Sequence, residues 1–150
     1  MSGPQHPYMK SSPGCWAAYG EILARQYTDA AYASTLQLTV DAYAAQHPGR
    51  PSPQAIQSVC RHLISLCLTI EGGASADEAI AAIQRSEKLR NRFAWLEPPW
   101  PRGEITVARL IGIDQPLRHR ELARAWAGEV WQAWSPHHTT IYRWIHELDV

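Results

Sequence analysis

His137 and His138 stand side by side directly after the tryptophan-dense run Trp126-Ala-Gly-Glu-Val-Trp131-Gln-Ala-Trp134-Ser135-Pro136. Two imidazoles at a helix start, beside large rings that exclude water, suit metal or proton chemistry. His47 and His62 lie on or near the apolar faces of two other predicted helices. If those helices pack together, two to four imidazoles converge inside a bundle, where facing helices commonly build metal sites. The predicted metal ligands are therefore His47, His62, His137 and His138, with Cys15 as a possible fifth. Neutral imidazole suits Zn, Fe, Cu or Ni, and a thiolate biases a site towards Zn or Cu. A transition metal, Zn or Fe, is the expected cofactor, and Asp41 and Glu71 are further oxygen ligands or partners that orient the imidazoles. Two or three imidazoles would leave a coordination position for water or substrate, as in a metal enzyme, but no substrate or catalytic residue follows from the residues.

The competing reading is plain. A single histidine on a helix face is ordinarily a hydrogen-bonded residue at the edge of the core, and His137 could cap its own helix. No His-Glu-x-x-His and no paired Glu-x-x-His is present. Cys15 follows Pro13-Gly14 near a helix start, where the dipole lowers a thiol pKa, but with no histidine placed beside it in sequence it reads as structural. No glycine-rich phosphate loop of Walker or dinucleotide type occurs.

The elements that must position these residues are helical. Cys15–Tyr27 places Trp16, Tyr19, Ile22 and Leu23 on one side. Thr28-Asp29 can cap a second helix over 29–46, with Tyr32, Leu36, Val40, Tyr43 and His47 at helical spacing, ended by His47-Pro48-Gly49. Ser52-Pro53 has the chemistry of a helix start, and Ile56, Val59, Cys60, Leu63, Leu66, Cys67 and Ile70 form the clearest apolar stripe, stopped by Gly72-Gly73. Ser75-Ala-Asp-Glu78 is a capping box for a fourth helix through about Leu89. Residues 94–103, with Pro98, Pro99 and Pro101, cannot be helical and read as a connection lying against the body. Ile105–Ile111 reads as a short helix capped by Thr106. A fifth helix follows over about 119–134, and a sixth after Ser135-Pro136 carries His137, Ile141, Trp144, Ile145 and Leu148 on one face. The prediction is an all-α, single-domain helical bundle of about five to six helices with Pro/Gly-rich connections, spanning 15–150 behind a flexible N-terminal arm, 1–14.

Composition narrows the function classes. The 150 residues carry 14 basic and 14 acidic side chains, so the formal net charge is zero. That balance argues against a broad electrostatic footprint for nucleic acid or an anionic membrane, and it favours self-association, hence a possible homodimer. No apolar stretch approaches the length of a membrane span and no leader pattern opens the chain, so a cytoplasmic protein is expected. Cys15, Cys60 and Cys67 are odd in number and lack Cys-x-x-Cys spacing, so no disulfide framework or zinc knuckle is indicated. Seven Trp against one Phe suits either core packing or anchors at an interface. The alternative function is accordingly a non-catalytic interaction or dimerisation module with Trp95, Trp100 and Trp131 as anchors. A third reading, helix-turn-helix DNA binding through residues 119–126 and 135–146, is weakened by the length of its first helix and by Arg143 being the one basic reader.

Three stretches carry a family resemblance: Pro13-Gly-Cys-Trp-Ala-Ala-Tyr-Gly-Glu21; Leu38-Thr-Val-Asp-Ala-Tyr-Ala-Ala-Gln-His-Pro-Gly49 with His62-Leu-Ile-Ser-Leu66; and Trp126-Ala-x-x-Val-Trp-x-Ala-Trp-Ser-x-His-His138. The chain resembles a family of small uncharacterised bacterial proteins, a domain of unknown function, from Pro13 onward. The resemblance implies no activity. Its pattern includes Cys15, His47, His62 and the His137-His138 pair, as a shared centre would. Where many members carry a histidine this chain has Leu36, and a Cys-rich start found in some is absent, so any ligand set here is smaller.

Overall fold

A computed structural model describes residues 13–149; the expected N-terminal arm lies outside the described residues up to residue 12, and residues 13 and 14 already belong to the first helix. The described residues form six α-helices and no strand: α1 Pro13–Thr28, α2 Leu36–Gln46, α3 Pro53–Ile70, α4 Ala76–Arg85, α5 Pro116–Ala133 and α6 His138–Leu148. None is long and apolar enough to cross a membrane.

Local chemistry sets most of the boundaries. The Ser52 hydroxyl accepts from the Ala55 N–H at 3.0 Å, and Pro53 occupies the first turn of α3, where a missing N–H costs nothing. Ser75 and Glu78 close a reciprocal capping box at the start of α4. A 3-10 turn, Ser86–Leu89, carries α4 on to the predicted end of that helix. Two boundaries differ from expectation. The predicted helix over 29–46 begins only at Leu36, because the Asp29 carboxylate accepts from the Ala31 N–H at 3.0 Å and holds a turn that competes with helix. Tyr32 is also drawn across the fold, where its hydroxyl donates to the Asp114 carbonyl at 2.6 Å. The expected helix over 105–111 shrinks to a 3-10 turn, Val107–Leu110, in which Thr106 makes no cap bond.

The core is built around α5. Trp126, Trp131 and Trp134 are each at most 1% exposed, so each indole N–H needs a partner inside the protein. Trp126 donates to Gln46 Oε1 at 2.9 Å, Trp131 to Glu71 Oε2 at 2.6 Å, and Trp134 to the Ala45 carbonyl at 3.0 Å. Elsewhere Tyr19 stacks on Tyr43 at 3.9 Å, and Phe93 meets Trp144 edge-on at 5.0 Å. Cys60 and Cys67 are buried small hydrophobes in this core, and burial pushes both thiols up to about 12.

The Pro-rich segment 94–103 runs as a strap against the body, as its composition requires. Gln46 holds it: the side-chain amide donates to the Ile105 carbonyl at 2.7 Å and the Arg102 carbonyl at 3.1 Å. Gly103 takes φ of 88°, and a Cβ there would meet Glu129 at 3.2 Å, so the strap ends on a residue that only glycine suits. Replacing Gln46 by leucine keeps the volume and orphans the Trp126 N–H and both strap carbonyls. Gln46→Leu is expected to lower stability by roughly 3 kcal/mol in urea denaturation. A change below about 1 kcal/mol would show that the junction does not hold the fold.

Candidate functional site

The five predicted ligands do not assemble. Among the described residues no group of three or more His, Cys, Asp or Glu side chains is placed to hold a metal ion. His137 and His138 diverge because neighbouring residues at a helix start do not share a face. The His137 Nε2–H donates to the Glu97 carbonyl on the strap at 2.8 Å, whereas His138 donates to the Trp131 carbonyl at 2.8 Å with its ring stacked on Trp131 at 3.7 Å. His47 donates through Nδ1 to the Tyr43 carbonyl at 3.0 Å. Cys15 is buried in the core side of α1. The expected convergence of Cys15, His47, His62, His137 and His138 is thus replaced by separate engagements, each made with the nearest acceptor or packing partner.

His62 belongs to a different cluster. Its Nδ1–H donates to Asp41 Oδ1 at 2.7 Å; Gln37 Nε2 donates to the same oxygen at 2.8 Å, and the Ser65 hydroxyl donates to Oδ2. Asp41 is fully buried, and three donors offset the loss of water around its carboxylate. Ser65 bonds the carboxylate instead of the imidazole, so this is no nucleophilic triad. It joins α2 to α3 and leaves His62 Nε2 as the free nitrogen of a half-buried ring. Glu71 likewise accepts, from Trp131 and from the Tyr142 hydroxyl at 2.7 Å, and that bond pushes the phenol up to about 12.

The site with the shape of a ligand cleft lies where the α2–α3 turn faces the strap. It encloses about 400 Å³ and is lined by His47, Arg50, Trp95, Glu97 and Arg102 with prolines between them. Gly49 makes the turn with φ of 74°. Arg102 donates through Nε to the Gln46 carbonyl at 2.9 Å and through Nη1 to the Pro99 carbonyl at 3.0 Å, leaving Nη2 without a bond among the described residues. Burial lowers the Arg102 pKa from its ordinary value, although a guanidinium keeps its charge in any protein. Burial, reinforced by the Arg102 charge, also lowers His47, against a smaller raising effect of the Tyr43 carbonyl. With Nδ1–H committed to that carbonyl, neutral His47 presents Nε2 as an acceptor. Trp100, 83% exposed, lies against this lining arginine, with the Arg102 guanidinium 5.3 Å from its ring.

Of the expected tryptophan anchors, the half-buried Trp95 lines the cleft and Trp100 touches its Arg102; Trp131, 1% exposed, is a core residue. Arg50 and Arg102 carry no local sequence signal, because the segments that bring them together are about fifty residues apart in sequence. His119 also escapes motif reading. It is fully buried on α5, at helical spacing from the inward-facing Ala123, Trp126 and Val130, and that stripe is its legible signal. Gln26 Nε2 lies 2.8 Å from the Thr39 hydroxyl and 2.9 Å from His119 Nε2, so this buried amide ties α1 to α2 and α5.

Fold and site together define a small all-α protein with a cationic, tryptophan-flanked cleft. The chain belongs to a family of unknown function, DUF5946, whose match spans residues 3–135. No curated protein and no solved structure matches it.

Burial lowers His119 as it does His47, and the Arg25 charge adds to the effect. Both histidines therefore refuse protons that the unfolded chain, titrating near 6.5, accepts. Stability is expected to be full above about pH 6.5, to fall as pH drops through that value, and to level off once the folded-state groups protonate. Urea midpoints from about pH 8 to pH 5 check this, and His47→Gln should flatten part of the slope. An unchanged midpoint across the range would refute the assignment.

Proposed function

We propose that this chain is a protein-interaction module that captures an acidic peptide segment on the face formed by the strap and the α2–α3 turn. The observation that carries the reading is Trp100, 83% exposed on a proline-rich strap whose backbone is tied down on both sides. Beyond its contact with the Arg102 guanidinium, an indole held in water adds little to this fold, whereas anchors of this type dominate interface energies. Around it, Arg50 is exposed and enters no ion pair with a described residue, and Arg102 retains one unbonded guanidinium nitrogen. Those two cations suit carboxylates, and Glu97 is the acidic member of the lining. His47 Nε2 suits a peptide N–H, and the Trp95 and Trp100 faces suit an apolar side chain. Proline fixes the strap before binding, so little ordering entropy opposes capture.

A metal centre through Cys15, His47, His62, His137 and His138 finds no comparable support, since their ring and thiol groups are engaged apart from one another. Catalysis is not part of the proposal.

The test is titration of a fluorescent peptide rich in Asp and Glu with one leucine, against its Asn/Gln counterpart. Saturable binding of the acidic peptide alone is expected, weakened by added salt. Trp100→Ala should reduce affinity by about tenfold or more while changing stability by less than about 0.5 kcal/mol, and Arg50→Gln should reduce the salt dependence. Absence of saturable binding, or binding indifferent to Trp100→Ala, would overturn the reading.

A further inference from the structure

A second cleft, of about 300 Å³, lies on another side of the molecule, where the start of α2, the end of α3, the start of α4 and the middle of α5 meet. Its floor is largely apolar, with Leu38 and Ala74, and its polar groups are the hydroxyls and amide of Ser34, Thr35, Gln37 and Thr69, with Arg120 and Arg124 from successive turns of α5. Thr35 is only 2% exposed and occupies the cap position of α2, yet its hydroxyl makes no cap bond and no other bond to a described residue. The hydroxyl of this otherwise buried residue is thus free to meet a ligand in the cleft that Thr35 lines. Arg120 and Arg124 are exposed and make no ion pair or hydrogen bond with described residues. At the start of α4 the Ser75 hydroxyl is taken by the Glu78 N–H, so the N–H of Ala76, which also lines the cleft, is left over. Gln37 does not swing freely, because its Nε2 is held by Asp41, whose carboxylate is in turn held by His62 and Ser65.

We infer that this cleft binds a phosphate monoester of a small polyol, with Arg120 and Arg124 on the phosphate and Thr35, Gln37 and Thr69 on the hydroxyls. Two guanidinium groups one helical turn apart match a tetrahedral dianion, and a helix N-terminus beside them adds a donor of the right sign. The Ser34, Thr35 and Thr69 hydroxyls and the fixed Gln37 amide can meet a polyol's hydroxyls, while Leu38, Ala74 and Ala76 pack against its short carbon skeleton. The acidic neighbours are Asp77 and Glu78 in the first turn of α4; Glu78 is occupied by Ser75, and neither lines the cleft. The buried Asp41 network thereby acquires a positioning role: it sets the Gln37 amide that faces the ligand. The inference is independent of the strap face.

Isothermal titration with ribose phosphate, glycerol phosphate, free ribose and inorganic phosphate tests it. The esters are expected to bind at least tenfold more tightly than inorganic phosphate, and free ribose not measurably. Arg120→Gln with Arg124→Gln, both at exposed positions, should abolish ester binding, whereas Arg118→Gln on the same helix and Trp100→Ala should leave it unchanged. Thr35→Val should weaken the esters several-fold without altering the response to inorganic phosphate. Esters binding no better than inorganic phosphate, retention of binding in the double arginine variant, or no binding of any probe would each overturn the inference.

Discussion

The side chain of Gln46, 7% exposed, satisfies three groups, two of them in buried bonds: it accepts from the Trp126 indole and donates to the carbonyls of Ile105 and Arg102. Its own backbone carbonyl accepts from Arg102 Nε. One residue at the end of α2 therefore sets the depth of α5, the path of the strap and the pose of the cleft arginine. An apolar residue of the same size would pack equally well and leave the indole and the strap carbonyls without their partner. Polar satisfaction of the tryptophan core, more than apolar area, is the constraint from which the remaining arrangement follows.

The strap explains why histidine and arginine gather where they do. Pro98, Pro99 and Pro101 have no N–H, so this segment offers the fold acceptors and few donors. Its carbonyls must be met by side-chain donors, and they are: from the body Cys60 at Ala94, His137 at Glu97 and Gln46 at Arg102, and from the strap itself Arg102 at Pro99. His137 thus serves as a donor to a proline-rich backbone, which needs an imidazole N–H and no metal. His138 is spent on its own helix turn and on the face of Trp131. A histidine pair beside tryptophans invites a metal reading from sequence because residue type is visible there and the direction of each ring is not.

What the sequence made legible was local. Ser52-Pro53, the Ser75–Glu78 box and the α3 stripe carry their own capping and periodicity, and those elements lie where that chemistry puts them. The start of α2 was not legible, because Asp29 can cap a helix or close a turn, and the choice falls to Tyr32 reaching Asp114 across the fold. Asp41 and His62 were visible as titratable residues on two helices, but the hydrogen bond between them depends on how α2 meets α3. The cleft was least legible of all. His47 and Arg50 come from one turn and Trp95 and Arg102 from a segment about fifty residues later, and no pattern within either predicts the other.

A charged or aromatic group is informative when the fold spends structure on holding it and takes nothing from it in return. By that measure Trp131 and Asp41 are accounted for, since both are buried with their polar atoms matched. Trp100 is not: the segment bearing it is braced from several sides, yet the indole itself contributes little buried area. A flexible loop would have let that ring fold back onto the surface, as the hydrophobic effect favours. The bracing keeps it in water next to Arg102, at a cost that folding alone does not recover. A pre-formed recognition face accounts for that cost, because rigidity before binding removes the ordering penalty that a mobile loop would face at the moment of contact.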